Sequence, residues 1–65
     1  MPIDKKQESS AENKKRMILE VSRDLFAMYG FSKTTLDDIA DALGMKKPSL
    51  YYYYNNKEAI LFDVI

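Results

Sequence analysis

Two adjacent lysines, Lys46 and Lys47, stand just before Pro48 and Ser49, and a run of tyrosines, Tyr51 to Tyr54, follows Leu50. Ammonium groups donate hydrogen bonds to phosphate oxygens or to the O6 and N7 edge of guanine. A serine hydroxyl bonds either target, and a phenol can donate to phosphate while its ring rests on a thymine methyl. Thr34, Thr35 and Lys57 flank this cluster with further hydroxyls and a further cation. Recognition of anions and of base edges is the chemistry these groups can do. Other chemistries lack their parts. The chain has no cysteine and no histidine, which removes the thiol nucleophile, the proton shuttle near neutral pH and the usual ligands of structural zinc. No enzyme, cofactor or metal is expected. Asp37 and Asp41 are four apart, on one face of a helix, but two carboxylates without further ligands make a poor cation site. They read as a solvated face.

Helices must position these groups. Residues 1 to 12 are polar, charged and aperiodic, which predicts a flexible arm. From Asn13 to Tyr29 the apolar residues Ile18, Val21, Leu25, Met28 and Tyr29 recur every three or four positions, with Met17 and Phe26 widening the stripe. Gly30 then offers a left-handed stop. Thr35 and Asp38 have the spacing of a capping box ahead of a second periodic run, Leu36, Ile39, Ala40 and Leu43. Gly44 ends that run. Pro48 belongs to the first turn of a third, short helix from about Lys47 to Tyr53, since its fixed φ and missing N–H are tolerated there. Asn56 is an N-cap candidate for a fourth helix opening at Lys57. Successive residues on a helix point about 100° apart, so the tyrosines cannot share one role. Leu50 and Tyr54 should face the core, leaving Tyr51, Tyr52 and Tyr53 to point elsewhere. The expected fold class is all-α: a three-helix helix-turn-helix, homeodomain-like bundle over 13–56, plus the start of a fourth helix over 57–65.

Size and charge bound the rest. A domain of 65 residues buries only about 60% of the surface of its unfolded chain, so a partner or more chain is the expected support. Net charge is zero, with ten basic and ten acidic residues. That counts against nucleic acid, whose binders usually carry a basic footprint, although a neutral protein can still present one basic face. The N-terminal residues have no apolar core of a secretory signal, and no run approaches the ~20 apolar residues of a membrane span. A cytoplasmic protein that does not touch membrane is expected. Ala59, Ile60, Leu61, Phe62, Val64 and Ile65 make the fourth helix apolar on more sides than a three-helix head can cover.

Two helices joined by a tight glycine-containing turn form the scaffold that lays the second helix into a major groove. In order and spacing, the stretch FSKTTLDDIADALGMKKPSLYYYYNNKEAI resembles the N-terminal domain of the TetR family of transcriptional regulators. The resemblance rests on Gly30, Phe31, Thr34, Thr35, Ile39 and Ala40, then Leu50 and Tyr51, then Tyr54, Asn56, Lys57 and Glu58. It covers about Lys14 to Ile65. Lys46 stands where the family often has a serine cap, Tyr54 where phenylalanine is common, and Tyr53 where histidine often precedes it.

The resemblance implies a homodimer on a pseudo-palindromic operator in double-stranded DNA, with the short third helices in successive major grooves. It also implies an absent C-terminal domain, entered through 57–65, that dimerises and binds a small-molecule effector, and a repressor as the whole. The DNA-contacting set expected from residues and resemblance together is Thr34, Thr35, Lys46, Lys47, Pro48, Ser49, Tyr51, Tyr52, Tyr53 and Lys57. Lys47 is the expected base reader, and Lys57 the expected phosphate contact by likeness to the family's lysine. The alternative is a helical protein-interaction module of the same fold that has lost DNA binding, using the fourth helix as its contact surface.

Overall fold

The computed structural model describes the backbone of residues 10–65 and the side chains of residues 12–65. Within them lie four helices: α1 (Ser10–Tyr29), α2 (Leu36–Leu43), α3 (Lys47–Tyr53) and α4 (Lys57–Val64). The polar arm expected over 1–12 therefore falls mostly outside the described residues, and its last part is helical. α1 starts three residues before the expected Asn13. Ala11 is the best helix former, and Glu12 in the first turn complements the helix dipole, so polarity alone was a poor boundary marker.

The helix ends follow from local chemistry. Gly30, at φ +96°, turns the chain out of α1 while its N–H still donates to Phe26 O at 2.9 Å. Thr35 Oγ1 accepts from the Asp38 N–H and Asp38 Oδ2 accepts from the Thr35 N–H, both at 3.1 Å. This reciprocal box satisfies two of the donors that a helix start leaves without partners. At the other end of α2, Gly44 sits at φ +73°, its N–H donating to Asp41 O at 3.1 Å and the Met45 N–H to Ala40 O at 2.9 Å. Those two bonds are the 5→2 and 6→1 pair of a Schellman motif, which needs a residue comfortable in the left-handed region. α3 begins without a side-chain cap at Lys46, and Pro48 lies in its first turn. Asn56 Oδ1 accepts the Ala59 N–H at 2.8 Å and caps α4.

Each helix contributes to one core. Ile18 of α1, Ile39 and Ala40 of α2, Leu50 of α3 and Ile60 of α4 are essentially inaccessible, with Tyr54 closing one side. Burying an aliphatic side chain of this size contributes roughly 1.5–3 kcal/mol, so these few residues dominate the stability of the head. The apolar stripe expected on α1 needs correction. Met17, Met28 and Tyr29 are exposed, whereas Ser22 is fully buried. Ser22 lies four residues after Ile18 and four before Phe26, so helical geometry puts it on the packed face although its hydroxyl hides it from an apolarity count. On α4, Ile60 alone is fully buried, while Phe62 projects outward, 81% exposed. No described helix is long and apolar enough to cross a membrane.

Candidate nucleic-acid interface

The Schellman turn at Gly44 fixes how α3 leaves α2, and Leu50 anchors α3 in the core. Its first turn then faces outward: Lys46, Lys47, Pro48 and Ser49 are all exposed. Tyr51 and Tyr52 continue that surface, Tyr52 at 82% exposure. Tyr53 is half-buried and meets the Tyr52 ring edge-on, with centroids 5.1 Å apart. Tyr54 turns inward as the spacing from Leu50 predicts, and its phenol donates to Asp63 Oδ2 at 2.7 Å. Burial, then the hydrogen bond to Asp63 and the charge of that carboxylate, push the Tyr54 phenol up to about 12. Lys15 adds a cation 5.7 Å from the centre of the same ring.

Lys47 Nζ lies 3.1 Å from Asp37 Oδ2 of α2. The Asp37 hydrogen bond and charge raise the Lys47 ammonium above its ordinary pKa. Asp37 and Lys47 are ten positions apart, and no helical period relates them. The turn between α2 and α3 brings them together, which the sequence pattern did not reveal. Lys14 of α1 borders a shallow recess with Ser49, Tyr52 and Tyr53.

Two expected contact residues point elsewhere. Thr34 is 1% exposed, its hydroxyl directed at Gly30 O at 2.9 Å and Leu25 O at 3.3 Å. That hydroxyl closes the loop between α1 and α2 and does not reach the surface. Lys57 was expected on the outer face. Its ammonium instead donates to Phe31 O at 2.6 Å, Thr34 O at 3.0 Å and Ser32 O at 3.3 Å, and stands 4.5 Å from the centre of the Phe31 ring. An ammonium has three donors, and all are directed inward. Lys57 thus ties the start of α4 to the α1–α2 loop. The reason is tertiary: that loop turns its carbonyls toward the N-terminus of α4. Thr35 is exposed but already engaged in the cap of α2. Of the expected set, Lys46, Pro48, Ser49, Tyr51 and Tyr52 remain exposed, as does Lys47 beside its partner Asp37. Among the described residues, no three acidic, histidine or cysteine side chains gather to hold a metal.

This arrangement has clear relatives. The family model for bacterial regulatory proteins of the tetR family matches residues 18–64. A negative transcriptional regulator of the biofilm operon icaADBC from Staphylococcus epidermidis, IcaR, is 48% identical over 46 residues, covering 71% of this chain and 25% of its own length. The transcriptional regulator RutR of Escherichia coli is 37% identical over 60 residues, covering 92% of this chain and 28% of its own. A crystal structure of a TetR/AcrR-family regulator from Thermobifida fusca superposes with a TM-score of 0.79 at 42% identity, over 80% of this chain and 28% of that one. The chain spans about a quarter of the length of the relatives it matches. Helix order, the capped and glycine-closed α2, the outward first turn of α3 and these matches agree: the chain belongs to the TetR family of bacterial regulatory proteins.

Proposed function

We propose that this chain is the DNA-reading head of a transcriptional repressor that binds a pseudo-palindromic operator as a homodimer and releases it in response to a small molecule. The observation that carries the reading is the outward first turn of α3, where Lys46, Lys47 and Ser49 stand exposed on a helix anchored by Leu50. Residues near the N-terminus of a recognition helix are those that reach base edges in the major groove. In this reading Lys47 reads bases, Lys46 and Ser49 bond phosphates or base edges, and Tyr51 and Tyr52 hold the adjoining backbone. Thr34 and Lys57 brace this surface from inside.

Repression is supported by relatives named negative regulator and repressor. Dimerisation and effector binding belong to a C-terminal domain that α4 would enter, and the outward Phe62 supplies apolar surface for it to cover. A dimer is needed because two half-sites lie a helical turn, roughly 34–36 Å, apart. The test is electrophoretic mobility shift of the protein against duplexes from its own upstream region, at low and high salt. Retardation that weakens steeply with salt is expected. No retardation at low salt, together with a stable protein complex lost on changing Phe62, would instead establish the interaction-module reading.

A further inference from the structure

The Lys47–Asp37 pair sits where a DNA reader has most use for positive charge, yet it carries none in net. Both side chains are more than half exposed, 58% and 52%, and exposed ion pairs of this kind contribute little to stability. Nor does α2 need the Asp37 carboxylate as a cap, because Thr35 and Asp38 already form the box. Asp37 also lines the concavity that Thr35 and Tyr51 border, a place where a carboxylate opposes the approach of a polyanion. Fold stability therefore gains from this carboxylate only the modest dipole term of a first-turn acidic residue, and unselective DNA affinity would be better without it.

We propose that Asp37 is a specificity-determining residue, which anchors the Lys47 ammonium so that its two remaining donors serve an uncharged guanine edge and not a phosphate. The inference rests on the DNA-reading function above. An ammonium has three N–H donors, and a carboxylate at 3.1 Å occupies one. The other two match O6 and N7 of guanine, which accept as a pair. A phosphate on those donors would set two anions against one cation. A guanine edge carries no charge and escapes that repulsion. Unselective affinity comes from cations that neutralise phosphates and release counterions, and a lysine already neutralised by its neighbour contributes little of it. Asp37 thus removes Lys47 from the unselective term and leaves it in the selective one.

The test compares the unmodified protein with Asp37→Asn on two duplexes: one that the unmodified protein selects from a randomised pool, and one of unrelated sequence. Affinities are read across a salt series. Asp37→Asn should steepen the salt slope on the unrelated duplex by about 0.9, one added phosphate, and tighten binding there by about eightfold at 0.1 M salt. Binding to the selected duplex should change by less than about twofold, so the ratio between them falls. In a Lys47→Ala background, Asp37→Asn should lose most of its effect. Four outcomes would overturn the proposal: an unchanged slope on unrelated DNA, equal tightening on both duplexes, a full effect of Asp37→Asn without Lys47, or a selected sequence without guanine at the Lys47 contact. Thermal melting of Asp37→Asn within a few degrees of the parent is expected, which separates these readings from misfolding. If the unmodified protein retarded no duplex, the DNA-reading function would fall and this inference with it. Binding by the parent without the predicted Asp37 effects would remove the inference alone.

Discussion

Replacing Lys57 by methionine separates a phosphate contact from an internal clamp. The variant keeps an unbranched stem of similar length but removes the ammonium that bonds Phe31 O, Thr34 O and Ser32 O at 2.6, 3.0 and 3.3 Å. Hydrogen bonds to charged groups contribute roughly 1.5–3 kcal/mol each. Lys57 is only half-buried and its bond to Ser32 O is exposed and long, so water compensates much of that sum. The cation over the Phe31 ring adds roughly 0.5–1 kcal/mol at such a site. A net loss of about 2 kcal/mol is the reasonable figure. The total for a domain of 65 residues is roughly 3–10 kcal/mol, so this is a large share. With each kcal/mol moving Tm by roughly 4–8 °C at this size, the midpoint should fall by about 8–16 °C. Circular dichroism melts and urea titrations measure it, and an unchanged m value would certify comparable unfolding. The salt slope of DNA binding, measured below the variant's transition, should stay within about 0.3 of the parent. A midpoint within about 1 °C of the parent, with a slope flatter by about 0.9, would place the ammonium on a phosphate and refute the clamp.

Other variants address the remaining polar contacts. Thr34→Val removes the donor to Gly30 O and Leu25 O while keeping the shape. It should cost about 1–2 kcal/mol in chemical denaturation and leave the DNA salt slope unchanged; a flatter slope would return Thr34 to the interface. Ser22 Oγ is buried without a hydrogen-bond partner among the described residues, so Ser22→Ala should be neutral or stabilise by up to about 1 kcal/mol. A loss larger than 1 kcal/mol would mean that the hydroxyl has a partner. Tyr54→Phe removes the bond to Asp63 and, at neutral pH, should cost about 1 kcal/mol. The folded-state pKa of Tyr54 is raised to about 12 from 10.0, so this contribution is complete below about pH 10 and lost as pH rises through about 12. The stability gap between parent and Tyr54→Phe should therefore close over that alkaline window in pH-dependent melts. A gap that stayed constant would show the shift to be absent.

Local signals carried most of the architecture. The Thr35 and Asp38 box, the glycines after Tyr29 and Leu43, Pro48 in a first turn and the Asn56 cap each depend on neighbours within a few residues, so the chain alone sets where α2, α3 and α4 begin and where α1 and α2 stop. The four-residue step from Leu50 to Tyr54 likewise placed Tyr54 inward and the other three tyrosines elsewhere; the structure leaves Tyr51 and Tyr52 exposed and Tyr53 half-buried. Where α1 starts was less legible, because polar residues with good helix propensity look like an arm when only apolar periodicity is counted.

Polar partnerships across the fold needed the tertiary structure. A hydroxyl such as Thr34 or Ser22, and an ammonium such as Lys57, carry no mark in sequence that tells solvent from interior. Their partners are backbone carbonyls, whose direction depends on how the α1–α2 loop passes the start of α4. The pairing of Lys47 with Asp37 is of the same kind, fixed by the angle that the Gly44 turn sets between α2 and α3. Sequence by itself determined the helices, their caps and the surface that α3 presents, because those follow from short-range geometry. Only the packed structure decided which of the donors remain free to meet DNA, because hydrogen bonds between elements depend on distances that no local pattern encodes.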